Sequence, residues 1–309
     1  MKILHSIEQL SELKGPVMLS IGVFDGVHIG HQVVLRQSLT AARQAAGTSV
    51  ALTFDPHPAR VLRPENAPRL LTSTQHKARL IGELGMENLL IVPFDMAFAQ
   101  QPPEVFIRRL AGACRPLRQI AVGHQWAFGR GRSGNVELLR TLGAELGFDV
   151  VEVPSVVADG ETISSTRIRE AVERGDLATA KRWLGRDYTI LGTVESGDRV
   201  GRTIGFPTAN LRAHNEQFPP NGVYAVRVTI DGELFSGVAN IGVRPTVTGG
   251  AGDRKLEVHV MDFHGDLYEK ELDVDFVKFL RDERKFDGVE TLKRQIASDI
   301  ATAREVLSA

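Results

Sequence analysis

A short segment near the start of the chain holds two histidines beside glycines, directly after an apolar run at residues 17–23. Two imidazoles at the start of a helix can hold a triphosphate, because free backbone N–H groups and the helix dipole attract anions there. The glycines allow a ligand to approach the backbone closely. The simpler alternative is a strand-to-helix turn capped by histidines. The pattern favours phosphate binding, and its candidate residues are Gly22, Phe24, Asp25, Gly26, His28 and His31.

A second polar segment, residues 163–169, opens a predicted helix. Ser164 or Ser165 would be a suitable N-cap, so helix capping alone is one interpretation. Arg167 and Arg169 in the first turn oppose the helix dipole, at a cost of about 0.3–1 kcal/mol each at exposed sites. A bound anion would make the contribution of these two arginines favourable. The segment therefore favours phosphate binding, and the candidates are Ser164, Ser165, Thr166 and Arg167.

Two further loops follow predicted strands. Residues 53–58 include two prolines, which stiffen the chain around His57. Residues 123–134 include Trp126 and Phe128, which suit a planar ring, although a place beside the core is an equal alternative. The same loop contains Gly-x-Gly-x-x-Gly. We reject it as a dinucleotide fingerprint, because it does not open directly from the first strand.

The glycine-rich segment at residues 197–210 stands out in the second half of the chain. Its glycines and basic residues suit a loop around phosphates, although the Gly-Lys-Ser/Thr of a P-loop is missing. Thr208 and Asn210 are two residues apart, so an extended chain points both side chains the same way. Their neutral oxygens are acceptable Mg²⁺ ligands when phosphates supply the charge. The alternative is a glycine-rich turn of a barrel.

Glu257 lies in a run that alternates apolar and polar residues, from Leu256 to Val260. The alternation predicts a strand with Glu257 and His259 on one face. We expect this glutamate to face into a barrel, where an acid is costly unless it is paired or used. It would then be a general base for an alcohol that attacks a phosphoryl group. Residues 281–286 form a run of charged side chains, which is typical of a solvated face. Phe286 is the one apolar residue in this run.

The elements that must position the first group of residues form an α/β pattern. Up to residue 185, short apolar strands alternate with helices, which predicts a doubly wound parallel sheet covered on both faces. Ligands on such sheets bind beyond the carboxyl ends of the strands. The predicted strands are 17–23, 49–54, 89–94, 117–122 and 149–153, and the predicted helices are 31–46, 74–84, 103–110, 135–146, 164–174 and 176–184.

From residue 188 the chain becomes rich in strands and turns, which predicts a small antiparallel β-barrel with one flanking helix. We therefore divide the chain into domains of residues 1–185 and 186–309. The predicted barrel strands include 223–230, 233–239, 255–263 and 272–277. One face of the last helix collects the apolar residues Val289, Leu292, Ile296, Ile300 and Leu307.

The composition limits the class of protein. A length of 309 residues is enough for two domains with buried cores. The net charge is −1, divided as +3 up to residue 185 and −4 beyond it, which argues against bulk binding of nucleic acid or anionic membrane. Because Cys114 is the only cysteine, the chain can form neither an internal disulfide nor a cysteine zinc site. Neither a signal peptide nor an apolar run of about 18 residues is visible, so we expect a cytoplasmic protein.

Together, these motifs resemble the bacterial bifunctional riboflavin kinase/FMN adenylyltransferase family, the prokaryotic FAD synthetases. The resemblance runs from about residue 22 to residue 286 and includes both modules in the family's order. It rests on Phe-Asp-Gly-x-His-x-Gly-His, Ile-Ser-Ser-Thr-x-Ile-Arg, Gly-Arg-x-Ile-Gly-Phe-Pro-Thr-Ala-Asn, Asn-Ile-Gly-x-Arg-Pro-Thr, Leu-Glu-x-His and Asp-Phe-x-Gly-Asp-Leu-Tyr. It implies a transferase that phosphorylates riboflavin to FMN with ATP, and then adenylylates FMN to FAD with release of pyrophosphate.

The resemblance also implies residue roles in the first module. His28 and His31 would bind the ATP phosphates and stabilise the transition state, and the residues from Ser164 to Arg167 would hold the triphosphate. The flavin would be bound by Pro56, His57, Pro58, Gln125, Trp126 and Phe128. Gln125 stands where the family usually has Asp or Asn, and Trp126 where Phe is usual.

In the second module, the resemblance implies that Glu257 activates the ribityl 5′-hydroxyl and that Thr208 and Asn210 bind Mg²⁺. ATP would contact Gly197, Gly201, Arg202, Gly205, Pro207, Thr208 and Asn210, and the flavin would contact Arg281, Glu283 and Phe286. The partners would be riboflavin, FMN and ATP, with no nucleic acid or membrane; the charge asymmetry permits a weak homo-oligomer. Two rivals are a kinase with a degenerate first module and a non-enzymatic flavin- or RNA-binding regulator built on the barrel.

Overall fold

The computed structural model describes residues 1–195, 205–243 and 254–308 of the chain. Their contacts separate two compact units. The first consists of Met1–Pro68 and Thr74–Ser165, and the second of Arg69–Ser73 and Thr166–Ala309. Within the described ranges, every helix is too short or too polar to cross a membrane.

Parallel strands form the main sheet of the first unit. They are β1 Lys2–Leu4, β2 Val17–Ile21, β3 Thr48–Asp55, β4 Asn88–Pro93, β5 Leu117–Gly123 and β6 Asp149–Val153. Their order across the sheet is β1-β4-β3-β2-β5-β6. From β2 the chain winds to one side through β3 and β4, and then to the other side through β5 and β6. The winding therefore reverses at β2, and the loop after β2 opens where ligands of such sheets bind. The predicted doubly wound parallel sheet is confirmed.

Helices cover both faces of this sheet. They are α1 Ile29–Gln44, α2 Pro58–Leu62, α3 Thr74–Glu83, α4 Met96–Ala99, α5 Pro103–Ala113 and α6 Val136–Leu146. In β3, Val50 and Leu52 belong to one apolar cluster and Ala51 belongs to the other, and all three are fully buried. Burial of a valine or leucine side chain contributes about 1.5–3 kcal/mol. Burial on both faces explains why the strand is apolar throughout instead of alternating.

The sequence pattern misses some short elements of the first unit. Strand β1 has only three residues, so it carries no readable period, and it is placed by parallel pairing of Lys2 with Asn88. Two short strands after β6, β7 Val157–Ala158 and β8 Glu161–Thr162, form a separate hairpin.

The second unit is a closed barrel of antiparallel strands in the order β10-β13-β12-β11-β14-β9, and the predicted barrel is thereby confirmed. In chain order its elements, preceded by two helices, are α7 Ser165–Glu173, α8 Leu177–Leu184, β9 Tyr188–Glu195, β10 Ala209–Ala213, β11 Gly222–Ile230, β12 Glu233–Val243, β13 Arg254–Val260, β14 Glu271–Arg281 and α9 Val289–Ser308. Helix α9 flanks the barrel, and its Ala303 is buried together with Ala225 and Met261. Ile300 and Leu307 pack against this cluster as predicted, but Val289 is 53% exposed.

The barrel interior is apolar. Leu256 and Val258 of β13 are fully buried, and Glu257 between them points to the outer face, with its side chain 30% exposed. The expectation that Glu257 faces into the barrel is therefore wrong. Burial alternates along the strand as predicted, but the aliphatic residues fill the interior and the acid borders the space beside α9.

A short segment, Arg69–Ser73, belongs to the barrel unit although it lies far from it in sequence. Asn215, which is 3% exposed, donates hydrogen bonds to the carbonyls of Leu71 and Thr189 and accepts one from the backbone N–H of Leu191. These bonds satisfy a buried amide that would otherwise cost stability. Asn215 thereby fastens the segment to the barrel.

Asp275 on β14 supplies a pH-dependent stability test. Burial raises its pKa from the usual 3.8 to about 6, Asp273 and Asp187 raise it as well, and the hydrogen bond from Thr189 opposes them. The stability that the protonated form contributes is present below pH 4 and is lost as the pH rises through about 6. Asp275→Asn keeps an acceptor for Thr189, so at pH 7.5 we expect the variant to be more stable than wild type by up to about 3 kcal/mol.

Urea unfolding at pH 4 and pH 7.5 measures this difference, which should vanish at the lower pH. Asp231→Asn, at an exposed hairpin turn, is the control and should not gain stability. If Asp275→Asn is no more stable than wild type at pH 7.5, burial of the ionised Asp275 carboxylate does not destabilise the folded protein.

Candidate active sites

The turn after β2 places His28 at the start of α1. His28 is the N-cap residue, and its Nδ1 accepts a hydrogen bond from the backbone N–H of His31 at 3.3 Å. The two imidazole rings are stacked, with centroids 3.5 Å apart. The rings of Phe24 and His31 meet edge to face at 5.4 Å. The capping role of the simpler interpretation is thus present, and both rings lie at a helix N-terminus, where an anion is stabilised.

Glycines let this turn close around the rings. A Cβ on Gly22 would lie 2.7 Å from the Phe24 ring, and one on Gly30 would lie 3.1 Å from the His28 imidazole. Phe24 and Val27 have positive φ angles of 53° and 41°, which are unusual for residues other than glycine. Both side chains are buried, so packing holds a conformation that costs on the order of 1–3 kcal/mol per residue. Strained turns of this kind cluster at functional sites.

His31 is held in its neutral form. Burial keeps its pKa well below the usual value, and His28 and Lys77 lower this pKa further. The imidazole is therefore uncharged at pH 7. Its buried Nδ1 has no hydrogen-bond partner among the residues that the structure describes. A ligand at this helix end would have an unsatisfied ring nitrogen to contact.

Ser165 lies beside the histidine turn. Its Oγ donates a hydrogen bond to the backbone carbonyl of Asp25 at 3.0 Å, and the Asp25 side chain is 2% exposed. Ser164 precedes α7, and Thr166 and Arg167 follow Ser165 in the first turn of this helix. The fold therefore brings the first residues of the second polar segment to the first segment.

A chain of aromatic contacts connects the loop at residues 53–58 with the loop at residues 123–134. It runs from Phe54 at the end of β3 through Phe98 and Phe106 to Phe128. Phe128 is 8% exposed and packs in the core. Trp126 is only partly buried and stacks on Phe128 with a centroid distance of 4.2 Å. Trp126 thus extends the aromatic core toward solvent.

The other predicted ring contacts lie at the surface of these loops. His57 is the N-cap of α2, and its Nδ1 accepts a hydrogen bond from the backbone N–H of Ala59 at 3.1 Å. Pro56 and Gln125 are exposed, and Pro58 is half-buried at the start of α2. The side chains are accessible to a ligand.

The rejected Gly-x-Gly-x-x-Gly has a packing role. A Cβ on Gly129 or Gly134 would lie 2.7 Å from Pro103 at the start of α5. The glycines are therefore required for close approach of the loop to this helix, and the loop follows β5 instead of the strand at which the winding reverses.

Lys77 on α3 also lies in this region, although none of the sequence motifs includes it. It is 4% exposed, and its Nζ donates to Thr53 Oγ1 at 3.4 Å. Its burial has a readable signal, because Lys77 shares the apolar face of the helix with Leu80 and Ile81 at i+3 and i+4. A lysine in that position must have a partner inside the fold.

Three polar residues form a row across the outer face of the barrel. Glu257 on β13 pairs with Asn210 on β10 and with Asn240 on β12 in the register of the sheet. All three side chains line a cavity of about 290 Å³ between the barrel and α9. Asn240 was not among the predicted site residues, and only the strand register places it beside Glu257. The row presents one carboxylate between two amides.

A second cavity, of about 660 Å³, adjoins the row. Its lining includes Pro207, Thr208, Asn210, Val260, Asp266, Leu267 and Tyr268. Thr208 and Asn210 line both cavities. The Oδ1 atom of Asn210 is buried and has no hydrogen-bond partner among the described residues. An oxygen ligand is therefore available at the junction of the two cavities.

Two contacts hold β13 in place beside the junction. Lys255 Nζ forms an ion pair with Glu257 Oε1 at 2.5 Å. His259 Nδ1 lies 2.7 Å from the carbonyl oxygen of Pro207. Since a carbonyl only accepts, Nδ1 carries the proton. The bond fixes the residue that precedes Thr208.

The charge run at residues 281–286 closes one side of the first cavity. Arg281 forms an ion pair with the buried Asp299 of α9, with Nη2 and Oδ2 2.7 Å apart. Glu283 Oε1 accepts a hydrogen bond from Asn240 Nδ2 at 3.2 Å. The Arg281 guanidinium lies 5.8 Å from the centroid of the Phe286 ring. Residues 282–285 are exposed, as expected of a solvated face, and Arg281, Glu283, Arg284 and Phe286 also line the cavity.

Some predicted nucleotide contacts of the barrel fall outside the described residues, namely Gly197, Gly201 and Arg202. Gly205 is described, and its φ of +89° is in the range that favours glycine. Pro207 follows and lines the larger cavity.

Two family models match successive parts of the chain. The model for FAD synthetase matches residues 10–167, and the model for riboflavin kinase matches residues 184–307. The first match contains the histidine turn, and the second contains the row of polar residues on the barrel. Together the two matches cover most of the parallel-sheet unit and most of the barrel unit.

Curated relatives match the chain over its length. The bifunctional riboflavin kinase/FMN adenylyltransferase of Haemophilus influenzae is 37% identical over 98% of both chains. The enzyme of the same name from Escherichia coli K12 is 40% identical, over 99% of this chain and 97% of the relative. A solved structure described as a macrolide-efflux protein from Streptococcus pneumoniae has a TM-score of 0.84 and 29% identity, and the match covers 98% of this chain and 99% of the other. The chain belongs to the bifunctional riboflavin kinase/FMN adenylyltransferase family, and it is a transferase that makes FMN from riboflavin and FAD from FMN.

Proposed function

We propose that the two reactions of this enzyme occur in separate domains, with FMN adenylylation in residues 1–185 and riboflavin phosphorylation in residues 186–309. The observation that carries the kinase assignment is the position of Thr208 and Asn210 on both barrel cavities. A phosphoryl group that passes from a nucleotide to an alcohol must cross such a junction. Glu257 stands beside it in the row with Asn210 and Asn240.

In the kinase domain, riboflavin occupies the cavity closed by Arg281, Glu283 and Phe286, and ATP occupies the larger one. Glu257 takes the proton of the ribityl 5′-hydroxyl as this oxygen attacks the γ-phosphorus of ATP. The phosphorus–oxygen bond to ADP breaks, and FMN and ADP result. The residues proposed to contact ATP are Gly197, Gly201, Arg202, Gly205, Pro207, Thr208 and Asn210.

In the adenylyltransferase domain, a phosphate oxygen of FMN attacks the α-phosphorus of ATP, and pyrophosphate leaves. The nucleophile is already anionic, so the site needs groups that stabilise charge instead of a base. His28 and His31 supply such groups at the helix N-terminus. ATP is further bound by Gly22, Phe24, Asp25, Gly26, Ser164, Ser165, Thr166 and Arg167, and FMN by Pro56, His57, Pro58, Gln125, Trp126 and Phe128.

Magnesium fits the junction between the barrel cavities. Asn210 offers a buried oxygen without a hydrogen-bond partner among the described residues, and Thr208 offers an exposed hydroxyl. Both ligands are neutral, so the ATP phosphates must supply the negative charge. When bound, Mg²⁺ would neutralise the charge on the transferred phosphoryl group.

Asn210→Ala tests this assignment. We expect the Mg²⁺ concentration for half-maximal FMN formation to rise by about tenfold or more, since one oxygen ligand is lost. The measurement is a Mg²⁺ titration of both reactions, together with binding of Mn²⁺-ADP followed by electron paramagnetic resonance. FMN-to-FAD conversion in the same preparation is the control and should keep its Mg²⁺ requirement. An unchanged requirement in the kinase reaction would remove Asn210 from the metal site.

The remaining assignments concern partners and location. The partners that we propose are riboflavin, FMN and ATP, without nucleic acid or membrane, and the −4 charge of residues 186–309 supports this for the barrel. The charge asymmetry between the domains permits a weak homo-oligomer. We place the enzyme in the cytoplasm.

Burial raises the pKa of the Cys114 thiol to about 12, so the only cysteine is an unreactive part of the core.

A further inference from the structure

Lys77 is a buried cation to which the two reactions above assign no task. Its side chain is 4% exposed, although lysine is almost never buried unless it is paired. It lies on α3 with the buried residues Leu80 and Ile81, so its ammonium is carried into the first unit by the apolar face of the helix. Such a placement costs free energy unless charges inside the fold compensate it.

The ammonium reaches the carboxyl end of β3, which lies next to β2, the strand at which the winding reverses. Lys77 Nζ donates to Thr53 Oγ1 at 3.4 Å. Thr53, fully buried near the end of β3, donates in turn to the backbone carbonyl of Val23 at 2.9 Å. Val23 lies in the turn that leads to His28. Lys77 is thus two hydrogen bonds away from the backbone of the proposed phosphate-binding turn.

Two carboxylates act on the Lys77 ammonium. Burial lowers the pKa of Lys77, and Asp25 and Asp55 oppose this by raising it. Asp25 is itself 2% exposed and belongs to the histidine turn. Both substrates of the adenylylation are anions, so a buried carboxylate in the turn would repel them unless a cation balanced it. His31 is neutral and does not provide that charge.

We propose that Lys77 is a positioning residue of the adenylyltransferase site, whose buried ammonium balances the Asp25 carboxylate beneath the histidine turn and so allows the turn to accept the ATP triphosphate. The inference rests on the proposed function, which places FMN adenylylation at His28 and His31. Thr53 holds the ammonium between the ends of β2 and β3.

Lys77→Met tests the role of the charge, because methionine retains the apolar stem and removes the ammonium. We expect the KM for ATP in FMN-to-FAD conversion to rise by about tenfold or more, with a smaller change in kcat, as for loss of one member of a buried charge pair. Lys77→Arg keeps the charge in a larger head group, so it should raise the KM for ATP less than Lys77→Met does. Lys2→Met, an exposed lysine of the same unit, is the matched control and should change neither constant. Circular dichroism and thermal unfolding of each preparation report whether the first unit is folded, and FMN formation reports the same for the barrel.

A double-mutant cycle with Asp25→Asn tests the partner. If Lys77 acts by balancing Asp25, Lys77→Met should raise the KM for ATP by less than about threefold in the Asp25→Asn background. The same tenfold rise in both backgrounds, or a wild-type KM in the Lys77→Met single variant, would overturn the inference. His28→Ala in the same assay separates the two proposals. If it loses FAD formation while Lys77→Met does not, only the role of Lys77 fails; if it retains FAD formation, the proposed site fails.

Discussion

Glu257→Gln is expected to reduce the formation of FMN from riboflavin by about 10²–10⁴-fold while FMN is converted to FAD at the wild-type rate. The amide has the shape of the carboxylate and can keep its place between Asn210 and Asn240. It cannot take the proton of the ribityl hydroxyl at neutral pH. The adenylylation needs no such base, because the phosphate of FMN is already an anion.

The two rates can be measured by chromatography of the flavins after incubation with ATP, Mg²⁺ and either riboflavin or FMN. Glu233→Gln is a matched control, since Glu233 is an exposed glutamate on the neighbouring strand β12. It should leave both rates unchanged. Loss of both activities in Glu257→Gln would argue against separate sites, and loss of neither would exclude Glu257 as the base.

His28→Ala is expected to give the opposite result. Riboflavin is still phosphorylated, FMN accumulates, and FAD formation falls by at least about 10²-fold, as when one charge-stabilising group of a site is removed. The ring of His28 stacks on His31 at 3.5 Å, so the change also removes a support of the second histidine. The rates of both steps are measured as for Glu257→Gln.

A second variant separates the chemistry of His28 from its capping role. Asparagine is a good N-cap residue and can accept the bond from the backbone N–H of His31. His28→Asn should therefore unfold at nearly the wild-type temperature, whereas His28→Ala loses a cap that contributes about 0.5–2 kcal/mol. We expect both variants to lose FAD formation. Wild-type FAD formation by His28→Asn would mean that His28 serves only as a cap.

The parallel sheet can be predicted from the sequence because its strands are buried on both faces. Ala51 and Leu52 point into different clusters, so β3 is a continuous apolar run between turns. The direction of Glu257 could not be predicted in the same way. Alternation shows that Glu257 lies opposite Leu256, but which of the two faces inward is decided by closure of the barrel and the packing of α9. Strand β1 is invisible because its three residues gain their place only by pairing with β4.

The residues of the candidate sites also differ in whether the sequence alone can predict their place. His28 could be placed at a helix start because glycines and a helix signal surround it in sequence. Asn240 becomes a neighbour of Glu257 only through the register of β12 and β13. Lys77 meets Thr53 only once α3 has packed on the sheet. Local patterns therefore predict residues whose chemistry is local, and contacts across strands and helices require the fold.

The most direct test of two independent sites in one chain is a mixture of the two inactive variants. Purified Glu257→Gln and His28→Ala are incubated together with riboflavin, ATP and Mg²⁺, and the flavins are separated by chromatography. Neither variant alone should make FAD from riboflavin. The mixture should make it, because His28→Ala supplies the FMN that Glu257→Gln converts. A mixture that makes no FAD, or a single variant that does, would contradict the assignment of the two reactions to separate sites.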